Sequence, residues 1–145
     1  MTITFDPTDP VHVKAQRMLE HDLIAWFVTV GKDGSPRAVP VWFFWHDGRL
    51  AILSEPNTGK VAAVRRGAPV LIHLQAGGAF GDDVVILHGT ARLSEQSAAQ
   101  WIPDRQQAYL AKYREAIDDF GTPLEPMIAR FNTVIEFIPE RLQAW

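Results

Sequence analysis

Apolar residues run almost unbroken from Ala38 to Trp45, in the order AVPVWFFW. Strand side chains alternate between faces, so Ala38, Pro40, Trp42 and Phe44 share one side and Val39, Val41, Phe43 and Trp45 the other. A half-exposed strand would interleave polar residues, so cover is expected on both faces. One face suits a barrel interior, and the other needs a helix or a second subunit. Pro40 cannot donate to a sheet ladder and marks an edge or a bulge. An ordinary edge strand explains that pattern. So does a strand whose backbone beside Val41 and Trp42 turns toward a ligand. His46-Asp47-Gly48-Arg49 is a tight turn with an Asp-Gly signal, and Leu50 to Ser54 is the return strand.

The same reading covers the rest of the chain. Asp9-Pro10 starts a helix, with Val11, Ala15, Met18 and Leu19 on one face and an end near His21-Asp22. Ile24 to Val30 is a strand, and Gly31 to Gly34 a hairpin turn. A helix opening near Lys60, capped by Asn57 or Thr58, stops at Gly67-Ala68-Pro69. Val70 to Gln75 is a strand, Ala76 to Asp83 a Gly-rich connection or mobile lid, and Val84 to Leu93 a long strand with a bulge at Gly89. A helical insert runs from Ser94 to about Phe120, broken at Pro103 and packed through Ala108, Leu110, Ala111 and Ile117. Gly121 to Pro126 is loop, Thr133 to Ile138 the last strand, and the remainder a short tail. About six strands joined by hairpins predict a mainly β, antiparallel barrel with helical decoration, as one domain over residues 1–145.

Composition narrows the function classes. The chain has 145 residues and a net charge of −3, which leaves no footprint for nucleic acid. It has no cysteine, which excludes disulfides, thiolate metal sites and a cysteine nucleophile. No apolar run is long enough to span a membrane, and Asp6, Asp9, Lys14, Arg17 and Glu20 argue against a signal peptide. A soluble cytoplasmic protein is expected. Five tryptophans and eight phenylalanines are many for this length. Such residues often anchor interfaces, and with the two-sided apolar strand they point to a homodimer.

Candidate chemistry centres on Arg37 to Lys60. The segment Ser54-Glu55-Pro56-Asn57-Thr58-Gly59-Lys60 places two hydroxyls and an ammonium at a helix start, a phosphate-sized arrangement. It lacks the P-loop pattern, and capped helix starts with a lysine are common. No GxSxG, HExxH or catalytic triad is present, and the histidines (His12, His21, His46, His73 and His88) show no convergent metal-binding set. Any of the five could donate a proton, but structural roles account for them. Asp82-Asp83 reads as a solvated loop end, and the Tyr109 and Tyr113 pair at i, i+4 as packing.

The run from Ile24 to Gln75, then DDVVILHGTARLSE, resembles the pyridoxamine 5′-phosphate oxidase-like split-barrel superfamily. Within it the chain is most similar to small oxidoreductases dependent on the deazaflavin coenzyme F420. The resemblance implies a six-stranded split barrel, a homodimer with interfacial cofactor sites, and hydride transfer between the cofactor and a small organic substrate. It places the cofactor phosphate at Ser54, Thr58, Gly59 and Lys60 and the ring along Pro40, Val41 and Trp42, with Arg37 at the start of the same strand. Lys60 matches the lysine of the oxidases' Arg-Lys phosphate pair, and Gly59 stands where they carry arginine. Val84 stands where they carry a flavin-binding glutamine. Both departures speak against a true pyridoxamine phosphate oxidase. FMN remains the alternative cofactor, and a non-enzymatic cofactor carrier the alternative role. Arg65 and Arg66 meet the acidic tail of the deazaflavin or are solvated helix charges.

Overall fold

The computed structural model describes residues 3–145. Seven strands form one antiparallel sheet: β1 Ile24–Val30, β2 Pro36–Trp42, β3 Phe44–His46, β4 Arg49–Ser54, β5 Val70–Leu74, β6 Val85–Leu93 and β7 Thr133–Ala144. Their order is β2-β1-β5-β6-β7-β4-β3. β2 and β3 therefore close opposite ends of the sheet, yet only Phe43 separates them in the chain. The sheet must curl until its ends meet at that residue. The result is a half-barrel split beside Phe43.

The break at Phe43 turns the expected single strand Ala38 to Trp45 into two, and six strands into seven. Its cause lies 70 positions away in helix α4 (Gln106–Phe120). The Phe43 amide donates to the Tyr113 hydroxyl at 2.8 Å, and the Phe43 carbonyl accepts from Lys112 Nζ at 2.8 Å. Helix groups thus take the backbone bonds that a neighbouring strand would have made.

Cover on both faces is found for only part of this segment. Val41 and Phe43 enter the barrel core, while Trp42 and Phe44 pack against the helical cluster. Pro36 to Pro40 are exposed in the single chain. Strand β4 is sealed on both sides: Leu50 and Ile52 face the barrel, Ala51 faces the helices, and all three are buried.

Helix α1 (Pro10–His21) is capped by Asp9, whose carboxylate accepts from the Val11 amide at 2.9 Å. It seals one barrel end with Ala15 and Leu19. Helix α2 (Gly59–Arg65) buries Val61, Ala63 and Val64. Beyond the short α3 (Ala98–Trp101) and a 3₁₀ turn, α4 packs through Tyr109, Tyr113 and Ile117. Ala108 and Ala111, expected in that contact, are exposed. A fifth helix, α5 (Leu124–Arg130), occupies part of the segment read as loop. Pro126 is in its first turn, where a missing N–H costs no intrahelical bond.

The last strand runs six residues further than expected, to Ala144. The β6–β7 register slips between His88 and Gly89, where Glu140 has no partner opposite. A Cβ on Gly89 would come within 2.1 Å of the Ile138 carbonyl oxygen, so only glycine fits this bulge. The Gly-rich segment is a connection closed by paired bonds between Gly77 and Asp83. Asp83 is not a free loop end: its carboxylate meets Lys14 Nζ at 2.6 Å. No helix among the described residues is long and apolar enough to cross a membrane.

Candidate functional site

Three elements converge on one cavity of about 270 Å³. The end of β2 supplies Pro40, Val41 and Trp42. The β4–α2 connection supplies Leu53, Ser54, Glu55, Thr58 and Lys60. The α4–α5 region supplies Tyr109, Phe120, Met127 and Phe131. One wall is apolar and aromatic, and the other end carries two hydroxyls, a carboxylate and an ammonium.

The wall is set by stacking. The Trp42 indole lies on the Tyr113 ring with centroids 4.9 Å apart and planes 9° from parallel. Phe120 meets Trp42 edge-on at 6.3 Å. Tyr113 is itself pinned, because its hydroxyl lies 2.7 Å from the Leu23 carbonyl and 2.8 Å from both the amide and the carbonyl of Phe43. The β2 break therefore fixes Trp42 at the cavity.

The polar end follows from a cap. Thr58 Oγ1 accepts from the Val61 amide at 3.4 Å and starts α2; Asn57 does not serve. Ser54 Oγ donates to the Glu55 carbonyl at 2.8 Å and lies 3.2 Å from Thr58 Oγ1. Ser54 has one hydroxyl proton, so Thr58 is the donor in the second contact. An arriving anion would compete with Ser54 Oγ for that proton. Burial lowers the Lys60 pKa, and the nearby Glu55 carboxylate opposes the shift. Lys60 forms no ion pair among the described residues, whereas Glu55 is paired with Arg130 Nε at 2.6 Å. The site thus holds a half-buried ammonium without a counter-ion, while the adjacent carboxylate is partnered.

The sequence-derived candidates divide between two cavities. Pro40, Val41, Trp42, Ser54, Thr58 and Lys60 share the first. Arg37 and Gly59 line a second, on the other side of the α2 start, with Gly31, Lys32, Asp33 and Arg66. The Arg37 guanidinium lies over Gly31, where a Cβ would sit only 2.8 Å from its Nε, and 3.6 Å from where a Gly59 Cβ would be. Arg66 donates to the Val30 carbonyl at 3.1 Å. Val84 lines a third, open groove with Trp26 and His73.

None of the histidines lines the first cavity. His73 is held by the Leu74 carbonyl at 3.0 Å and His88 by Gln143 at 2.8 Å. His46 sits among Phe44 and Trp101 with both ring nitrogens buried and unpartnered. Burial, reinforced by the Arg105 charge, lowers its pKa and keeps it neutral. No group of three or more His, Asp or Glu that could hold a metal occurs among the described residues. Sequence reasoning did not single out Leu53 or Glu55, although Glu55 lies within the Ser54–Lys60 segment, and it missed Tyr109, Phe120, Met127 and Phe131. For the helical residues the only signal was the i, i+4 tyrosine pair, which packing explains equally well.

The family model for pyridoxamine 5′-phosphate oxidase matches residues 12–145. No curated protein matches the chain. Among solved structures, a Listeria innocua protein provisionally assigned as a pyridoxamine 5′-phosphate oxidase is similar, with a TM-score of 0.64 and 24% identity over 91% of this chain and 95% of that one. An F420 reductase gives 0.62 and 19%, over 88% and 94%. The FAD-binding protein from Mycobacterium smegmatis gives 0.57 and 17%, over 92% of each chain. At these identities the solved structures speak for the fold alone. With the family match across nearly the whole length and the curled seven-stranded sheet, the chain belongs to the pyridoxamine 5′-phosphate oxidase family of flavin- and deazaflavin-binding split barrels.

Proposed function

We propose that this chain is an F420-dependent oxidoreductase acting on a small organic substrate. The observation that carries the reading is the composition of the first cavity. An apolar wall at Pro40, Val41 and Trp42 runs toward an unpaired ammonium at Lys60, with the Ser54 and Thr58 hydroxyls in the same cavity. A planar ring bearing a phosphate has that distribution of apolar and anionic surface. Lys60, Ser54 and Thr58 would take the phosphate, each charge-assisted bond favouring the ionised group. Pro40, Val41 and Trp42 would hold the ring, and Phe120, Met127 and Phe131 would exclude water from its exposed side.

When bound and reduced, the deazaflavin supplies a hydride. The protein's part is orientation and a dry pocket, so no nucleophile is required. Gly59 and Val84 stand where the oxidases carry polar contacts to FMN, which favours the deazaflavin over that flavin. The cavity is slightly smaller than the usual small-molecule site of about 300–1,000 Å³. The free outer edge of β2 and its exposed Val39 lie beside it. A second copy of the chain covering this edge would enlarge and close the site, so the working assembly in this reading is a homodimer in the cytoplasm. Arg37 and Gly59 would then face the cofactor from the far side of the α2 start.

The test is a pair of fluorescence titrations of purified protein, one with F420 and one with FMN. Tight F420 binding with weak FMN binding is expected. Preferential FMN binding would move the protein to the flavin oxidoreductases, and binding of neither would remove the cofactor reading. Tight stoichiometric binding without turnover on any acceptor would make it a carrier.

A further inference from the structure

Two tyrosines stand one turn apart on α4, with ring centroids 5.2 Å apart. Both are buried, and both are held neutral because burial raises their pKa. Their hydroxyls are used very differently. The Tyr113 oxygen has three backbone groups within 2.8 Å and fixes the Phe43 break. The Tyr109 hydroxyl makes no hydrogen bond to any described residue. It is also absent from the sealed polar atoms without partners, which are His46 Nδ1 and Nε2 and Trp101 Nε1. Its oxygen therefore keeps contact with open space, and the first cavity is the open space that this residue lines. The residue as a whole is only 3% exposed.

Packing does not account for that oxygen. The Tyr109 ring meets Phe44 at 5.8 Å and Tyr113 at 5.2 Å, contacts a phenylalanine would make equally well. A hydroxyl that faces a cavity without a protein partner is left for water or a ligand to satisfy. We infer that Tyr109 is a ligand-orienting residue: its hydroxyl donates a hydrogen bond to a carbonyl oxygen of a planar molecule lying against Pro40 to Trp42. A neutral phenol in a mostly apolar pocket suits that role, because it donates without placing a charge beside the ring. The inference rests on the cofactor reading above. The carbonyl could belong to the cofactor ring or to the bound substrate, and the chemistry of the contact is the same.

The experiment compares the wild type with Tyr109→Phe and Tyr113→Phe. Thermal stability is read first. Tyr109→Phe is expected to leave the melting temperature unchanged, while Tyr113→Phe lowers it. Dissociation constants are then measured for F420 and FMN, and for menadione, a planar quinone, on the cofactor-loaded protein. A loss of about 3- to 10-fold in cofactor affinity in Tyr109→Phe assigns the contact to the cofactor ring. An unchanged cofactor constant with a similar loss for menadione assigns it to the substrate. Equal affinities for every probe in wild type and Tyr109→Phe would overturn the inference while leaving the cofactor reading intact. A melting temperature lowered as far as that of Tyr113→Phe would also overturn it, by showing a structural hydroxyl. Failure of the wild type to bind either cofactor would sink the functional reading and this inference with it.

Discussion

Replacing Tyr113 by phenylalanine removes one oxygen from the point where the barrel is split. That oxygen accepts from the Phe43 amide at 2.8 Å and donates to the Leu23 or Phe43 carbonyl, at 2.7 and 2.8 Å. The three contacts are not equally costly to lose. The Phe43 carbonyl keeps Lys112 Nζ at 2.8 Å. The Leu23 carbonyl belongs to a residue that is 40% exposed. The Phe43 amide has no substitute: the residue is 1% exposed and the amide is left unpaired. A buried donor stripped of its partner costs about 1–3 kcal/mol. For a domain of this length each kcal/mol moves the melting temperature by roughly 2–4 °C, so a fall of about 2–12 °C is expected. The ring stays, so the Trp42 stack and the core volume are kept. Differential scanning calorimetry at fixed protomer concentration reads the shift, since association makes melting concentration-dependent. A variant melting within about 1 °C of the wild type would refute the assignment of the β2 break to this hydroxyl.

Lys60→Ala should weaken cofactor binding by about 1–3 kcal/mol, as for a charge-assisted bond; unchanged affinity in a folded variant would remove Lys60 from the site. Lys112 is held by burial at a pKa of about 8, with Asp22 opposing the shift. The unfolded chain keeps that proton to near pH 10.5, so between about pH 8 and 10.5 unfolding takes up a proton and stability rises with pH. The urea midpoint of the wild type should therefore rise across that window relative to Lys112→Met, and parallel profiles would contradict the shift. Gly89→Ala should be strongly destabilising, by more than about 2 kcal/mol, because the new methyl would meet the Ile138 carbonyl; an unaltered denaturation midpoint would show that the bulge relaxes freely.

What the sequence revealed and concealed follows from the range of the forces involved. The Asp9 and Thr58 caps and the Gly89 bulge are local, so they could be read from a few residues. The break at Phe43 could not, because its cause is Lys112 and Tyr113 on a helix remote in sequence. The segment Gly121 to Pro126 reads as loop and the strand from Thr133 as ending at Ile138, yet Pro126 sits where a helix needs no N–H, and Pro139 sits beside the bulge. Half of the cavity was legible because Ser54, Thr58 and Lys60 lie close together in the chain and Pro40 to Trp42 share its strand. Tyr109, Phe120, Met127 and Phe131 come from α4, α5 and the end of α5, whose docking only the folded chain shows.

The most direct test is a crystal structure of the protein loaded with F420. The account predicts the deazaflavin ring against Pro40, Val41 and Trp42, a phosphate oxygen about 3 Å from Lys60 Nζ, and a second copy of the chain closing the free edge of β2. A cofactor bound elsewhere, or a ring in place with Lys60 turned away from the phosphate, would contradict it.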